Sequence, residues 1–233
     1  KCGVNVQPLF KEAGIKIDII RLEDARVSPL QLISVLEQCV AMSQEKYFSL
    51  VLGDTFAFES LPEFETLLTT SATLREALKV ADMARRVILP WVSIELEEVG
   101  DLARVKVGLD MPVPHLDRFG LPVHLVTHAI LATIRKFGRN LKGSDDGFVG
   151  VELKGPPGKF ADQFEPFFNR PVTFNAASDA LLFERRILDV PLEGAFPALH
   201  EQAHFLAEQR LGKEAKRQGV AAGLGEVTGI AAA

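Results

Sequence analysis

Cysteine is nearly missing from this sequence: 233 residues hold two, Cys2 and Cys39, and they form no CxxC pair. Two cysteines are too few for a disulfide framework, and a reducing cytoplasm is the simplest compartment for the chain. Long apolar runs are missing too. None approaches the roughly 18 to 20 residues of a membrane helix, and the opening KCGVNVQPLFKEAGI lacks the apolar stretch of a signal peptide. A clustered basic face is the third absence. With 26 basic and 31 acidic residues the net charge is −5, and the one dense basic group, Lys213, Lys216 and Arg217, is short. That balance argues against this chain gripping a phosphate backbone by itself. No GxSxG elbow or P-loop occurs and no GxGxxG follows an expected strand, so nothing calls for a cofactor or for an enzyme built on one of these motifs.

What is present suits a globular protein: 47% hydrophobic and 24% charged residues lie far from a disordered composition. The length allows one large domain or two small ones. The first residue is Lys rather than Met, so the chain is expected to be trimmed or processed at its start. Its first half reads helical. Residues 29–43 follow the cap pair Ser28 and Pro29 and place Leu32, Leu36, Cys39 and Val40 at helical spacing. Residues 47–56 put Phe48, Val51, Leu52 and Phe56 on one face, and residues 62–68 form a short helix. Thr73 and Glu76 make a capping box that opens a helix over 74–87.

The period then changes. Val92, Ile94 and Leu96 alternate with Ser93, Glu95 and Glu97, and Val105, Val107 and Leu109 alternate with Arg104, Lys106 and Gly108. This predicts a β-hairpin turning at 98–103, with Glu95 and Glu97 facing Arg104 and Lys106 across the strands. Residues 121–137 form the clearest amphipathic helix, with Gly138 as its stop. A third strand is expected at 148–153, a short helix at 161–168, and a second hairpin from 172–174 and 180–183. A closing helix follows at 196–211, and residues 212–233 read as linker or tail. The pattern is α+β: a helical first half, then a mostly antiparallel sheet with interleaved helices, with two lobes divided near residue 90 as an alternative.

Two short motifs carry candidate chemistry. HLVTH places His124 and His128 one helical turn apart, where they could share a metal ion, but the segment lacks the Glu of HExxH and an obvious third ligand. These His sit with Arg135 beside the apolar stripe of their helix, a position suited to rimming a pocket. HEQAH, with His200, Glu201 and His204, matches HExxH literally, yet the 29 residues after it hold no His. Asp145 and Asp146 lie in a Gly/Ser loop and read as solvated. Trp91 shares the charged face of its strand with Ser93, Glu95 and Glu97, where an indole covers a neighbouring element or lines a cavity. Phe164, Phe167, Phe168, Phe174 and Phe183 read as a structural corner.

The order of features is more specific than any one of them. Phe167, Phe168, Pro171, Val172, Phe174, Leu181, Phe183, Leu188, Pro191 and Leu192 follow one another as an aromatic pair, a Pro-Val-x-Phe strand, a turn, a strand ending in Phe, and a Leu-x-x-Pro-Leu segment before a closing helix. Upstream come Asp24, Arg26 and Val27 in a D-x-R-V turn, then Ser71, Thr73, Leu74, Glu76, Ala77 and Leu78 in S-x-T-L-x-E-A-L. This ordered set resembles the N-terminal effector domain of AraC/XylS-type transcriptional regulators, in the branch labelled arabinose-binding, over about residues 7–211. The resemblance implies ligand sensing and dimerisation rather than catalysis. It implies contact with DNA only through a C-terminal helix-turn-helix domain, and no such pattern is expected in residues 212–233. The expected site lies between the hairpin 91–109 and the helix 121–137, with Trp91, His124, His128 and Arg85 as ligand contacts and an aliphatic or aromatic carboxylate as the effector. The alternatives are a zinc hydrolase built on His200, Glu201 and His204, and a pure interaction module with a filled core.

Overall fold

Ser28 opens the first long helix with a reciprocal cap. Its hydroxyl accepts from the Gln31 amide at 3.2 Å, and the Gln31 side chain accepts from the Ser28 amide at 2.9 Å, satisfying two donors that a helix start leaves unpaired. In the computed structural model, which describes residues 4–15, 27–43, 47–110, 124–158 and 161–229, this is α2 (Pro29–Met42). It follows α1 (Val6–Glu12) and precedes α3 (Phe48–Thr55), α4 (Pro62–Thr69) and α5 (Leu74–Ile88). At α5 the box is shifted by one residue: Thr73 accepts from the Glu76 amide at 3.2 Å, but the Glu76 carboxylate accepts from Ala72.

The hairpin comprises β1 (Val92–Val99) and β2 (Leu102–Leu109), antiparallel, with Glu95 opposite Lys106 and Glu97 opposite Arg104. Its turn is tighter than expected, because Gly100 takes φ +60° and reverses the chain in two residues. The amphipathic helix is α6 (His124–Lys142), and the start expected at residue 121 lies outside the described residues. Gly138 does not stop it. A mid-helix Gly costs about 1 kcal/mol against Ala, and Leu141 continues the packed stripe beyond it. Gly143, at φ +74°, follows the last helical residue.

After α6 come β3 (Phe148–Glu152), α7 (Phe164–Phe168), β4 (Val172–Thr173), β5 (Asp179–Glu184) and α8 (Pro197–Gly229). The sheet order is β1-β2-β5-β3-β4. β4 and β5 therefore do not form the expected hairpin: β5 lies antiparallel between β2 and β3, and β4 pairs parallel with the far edge of β3. The chain after β4 is held against the end of β3, with the Asn175 and Ala176 amides donating to the carbonyls of Gly155 and Leu153. It then crosses to the other side. The remaining pairs are antiparallel, as the alternation indicated, so the α+β class stands.

One core cluster joins Ile33, Leu36 and Leu50 from the first half to Val92, Val105, Val126 and Leu181 from the second, so the two halves share an interior. A second cluster seats Ala203 and Ala207 of α8 against Phe64, Ala77 and Ala84 of α4 and α5. The helical face of α3 differs from the expected one. Phe48, Ser49, Leu50 and Gly53 are buried while Leu52 is exposed, because α3 crosses α6 at Gly53. Helix α8 continues to Gly229, so the residues read as linker or tail are helical as far as 229. The Phe-rich corner is packed as read: Phe168 is 1% exposed, and Phe164 meets Phe174 edge-on at 5.9 Å. Among the described residues no helix is long and apolar enough to cross a membrane.

Candidate functional site

Three helices meet through small side chains. Ala77, Ala81 and Ala84 recur on one face of α5, Gly53 marks the inner face of α3, and Ala129 and Gly138 lie on α6. The α3–α6 crossing is so close that a Cβ on Gly53 would sit 2.0 Å from the Ala129 carbonyl oxygen. Thr133 pins it by donating to the Gly53 carbonyl at 3.0 Å. Elsewhere the small residues leave space. The result is a cavity of about 320 Å³, bounded by α3, α5, α6 and the first strand, with Val92 and Ile94 as the strand's contribution. Its size falls at the lower end of the ~300 to 1,000 Å³ typical of ligand pockets.

The wall is overwhelmingly apolar. Its polar members are few, and most come from the second half of α6 and the loop after it: Arg135, Arg139, Lys142, Ser144, Asp145 and Asp146. Arg135 is the buried one, with its side chain 6% exposed. Nη2 donates to Asp145 at 2.8 Å, and the guanidinium carbon lies 5.6 Å from the Phe148 ring centroid. Its Nε is buried with no partner among the described residues. Burial pulls the Arg135 pKa below its ordinary value, against the opposing pull of Asp145. Asp145, read from sequence as solvated, is instead the counter-ion of this guanidinium.

Of the expected contacts, Arg85 lines the cavity. Its Nε donates to Asp82 at 2.7 Å and its Nη1 to the Val92 carbonyl, which ties α5 to the start of β1. Trp91, His124 and His128 are not among the lining residues. Trp91 packs, half-buried, on the main core. His124 and His128 stand 5.4 Å apart in the first turns of α6, the second of them seven residues before Arg135, and His128 meets Phe164 edge-on at 5.1 Å. Burial pushes the His128 pKa down to about 4, with Asp179 opposing and His124 adding to the shift. Desolvation also lowers His124. Both imidazoles are therefore neutral at pH 7. Thr127, between them in sequence, donates to Asp179 at 2.7 Å.

The two His of HEQAH take separate partners. His200 Nδ1 is 3.2 Å from the Thr70 hydroxyl and its Nε2 3.5 Å from Glu76, whereas His204 lies 3.8 Å from Glu208. Among the described residues no group of three or more His, Cys, Asp or Glu side chains is placed to hold a metal ion. The cavity shares the walls of β1 and α6 with the site expected between the hairpin and that helix, but its walls from α3 and α5 were not read from sequence, although the Ala77, Ala81, Ala84 spacing was a readable sign of them.

No match was found among curated protein sequences. Among solved structures, the chain is similar to the transcriptional regulator CdpR from Pseudomonas aeruginosa. The TM-score is 0.62 at 16% sequence identity, covering 90% of this chain and 64% of that one. The likeness is one of fold, and the chain spans less than two thirds of that regulator's length. Residues 3–192 match the family described as the arabinose-binding domain of AraC transcription regulator, N-terminal. An α+β domain with a helical first half and a five-stranded mixed sheet, matched over most of its length, thus belongs to the N-terminal arabinose-binding domain family of AraC-type transcription regulators.

Proposed function

We propose that this chain senses a small apolar organic effector in the cavity between α3, α5, α6 and β1, and relays occupancy to a DNA-binding domain. The observation that carries this is the 320 Å³ apolar cavity at the meeting of the helices. A pure interaction module would have filled that space, since empty interior volume forfeits packing. The wall also supports an apolar effector over a hydroxylated sugar. Each sugar hydroxyl buried without a partner would cost on the order of 1 to 3 kcal/mol, and the apolar wall presents few partners. Arg85, held at the wall by Asp82, remains a candidate polar contact.

The relay has a physical route. Ala77 and Ala84 line the cavity and also belong to the cluster that seats Ala203 and Ala207 of α8. An effector that favours one position of α5 therefore favours one seating of α8, the last helix of the chain, in proportion to its differential affinity for the two arrangements. Exposed Phe205 and Leu206 on α8 support the homodimer implied by the family resemblance.

A thermal-shift screen of the full chain against fatty acids, aromatic acids, apolar alcohols, amino acids and sugars tests the reading. An effector at 100 times its Kd adds about 2.7 kcal/mol, or roughly 5 to 10 °C for a domain of this size. The shift should vanish in Ala81→Phe, which fills the cavity. Stabilisation by sugars alone, or a shift that survives Ala81→Phe, refutes it.

A further inference from the structure

The cavity has a charge pattern as well as a volume. Its lining carries four cations, Arg85, Arg135, Arg139 and Lys142, against two carboxylates, Asp145 and Asp146. Arg85 pairs with Asp82, which it shares with Arg86, and donates to the Val92 carbonyl, and the Lys142 ammonium is turned to the Asp146 carbonyl and the Ser144 hydroxyl. Arg135 differs from these. It is the most deeply buried, it has a single carboxylate partner on Nη2, and its Nε–H has no acceptor among the described residues. Buried N–H donors nearly always find an acceptor, and a guanidinium offers five donors in a fixed planar fork that matches a carboxylate. A buried cation with one carboxylate partner, at the wall of an apolar cavity, is the arrangement that an amphiphilic acid matches: the tail fills the apolar part and the carboxylate takes the place of Asp145 on the guanidinium.

We propose that Arg135 anchors the carboxylate of an apolar organic acid whose hydrocarbon part occupies the cavity, in competition with Asp145 for the same guanidinium. This rests on the sensing role of the cavity and names the class of effector that it takes. Size sets the scale of the acid. A cavity of ~150 Å³ holds one benzene, so 320 Å³ admits roughly two such fragments, the size of a medium-chain fatty acid or a bicyclic aromatic acid. The competition carries its own consequence. Asp145 sits in the loop that joins α6 to β3, and its side chain is a quarter exposed, so an incoming carboxylate can displace it toward solvent at small cost.

Calorimetric titration of the full chain with octanoate and octanol, and with naphthoate and naphthol, tests the anchor with pairs that differ chiefly in charge. The acid of each pair should bind at least ~10-fold more tightly than its alcohol, equivalent to about 1.4 kcal/mol. Arg135→Met should abolish that preference while leaving alcohol affinity within about 2-fold, as expected when only a charge-assisted contact is removed. Should Arg135→Met fail to fold, Asp145→Asn serves instead. It removes the competing anion and should tighten both acids and leave both alcohols unchanged. Equal binding of acid and alcohol by the wild type overturns the anchor, as does a preference that persists in Arg135→Met, or acid binding weakened by Asp145→Asn. In those cases, alcohol binding that is lost in Ala81→Phe leaves the sensing role intact. If none of the four probes binds, the anchor also falls, and the broader ligand screen then decides whether the cavity senses anything.

Discussion

Two glycines in neighbouring helices make opposite predictions for the same one-carbon substitution. Gly53 lies in the last turn of α3 and Gly138 in the interior of α6, both in the cavity wall. Helix propensity alone favours Ala at each by about 1 kcal/mol. At Gly138 nothing lies within 4 Å of the added methyl, so propensity decides and Gly138→Ala should gain close to that amount. At Gly53 the new Cβ would lie 2.0 Å from the Ala129 carbonyl oxygen and 2.8 Å from the Ala132 Cβ. Two of its three nearest atoms are backbone, so no rotamer change relieves the contact; the helices must separate and stretch the 3.0 Å bond from Thr133 to the Gly53 carbonyl. Overpacking of a tight interior typically costs about 1 to 3 kcal/mol and sometimes more, and a backbone collision belongs at the upper end. Subtracting the propensity gain leaves Gly53→Ala about 2 kcal/mol less stable. For a domain of this length that is a Tm lower by roughly 4 to 8 °C, against a rise of roughly 2 to 4 °C for Gly138→Ala. Urea titration followed by far-UV circular dichroism, with the m-value checked for constancy, measures both. A Gly53→Ala variant as stable as the wild type would refute the close crossing of α3 and α6, and a Gly138→Ala variant that is weaker would refute the open space beside Gly138.

Acid should destabilise the fold partly through His128. Its folded pKa of about 4 lies below the ordinary ~6.5, so the unfolded chain takes up a proton that the fold refuses, and stability is lost as pH falls from about 6.5 to about 4. The full effect is on the order of 3 kcal/mol; His128→Gln should flatten that part of a Tm-against-pH curve, with Asp179 and His124 left in place, and parallel curves would count against it. Phe168, 1% exposed and tilted against Phe148 at a centroid distance of 6.4 Å, holds the aromatic corner. Phe168→Ala should cost about 3 to 5 kcal/mol in urea unfolding, and a loss below about 1 kcal/mol would show that the corner is not part of the core.

The elements legible in the sequence were those whose signals are local. A cap and its partner lie three residues apart, and β1 and β2 carry alternating charge and apolarity that meet across a short turn, so both could be read without knowing the rest of the fold. The pairing of β4 was not legible, because two short strands separated by a polar turn look alike whether they pair with each other or with β3. The choice depends on contacts made by Asn175 and Ala176 with residues some twenty positions earlier. The buried face of α3 was misread for a related reason: Gly53 contributes to packing by what it lacks, and a count of apolar side chains ignores it.

The same reasoning separates the fold from the site. Large side chains carry the ordered pattern that indicates the family, and their burial is favourable wherever they stand, so the pattern survives in the sequence as hydrophobicity. The cavity is made by Ala77, Ala81, Ala84, Ala129 and two glycines, residues that register on a hydrophobic scale only weakly and encode volume left empty. Its one deeply buried charge was visible beside the apolar stripe of α6, but a charge becomes a candidate site only when its burial and its counter-ion are known. Asp145, ten residues further on, reads as an ordinary loop acid until the turn after α6 brings it to 2.8 Å from Arg135. His124 and His128 stood out because imidazole is rare and its spacing was suggestive. Arg135 did not, because arginine at the edge of a helix stripe is common. Where a cavity wall is mostly hydrocarbon, the informative residues are therefore the smallest ones, together with a cation whose partner accounts for only part of its donor set.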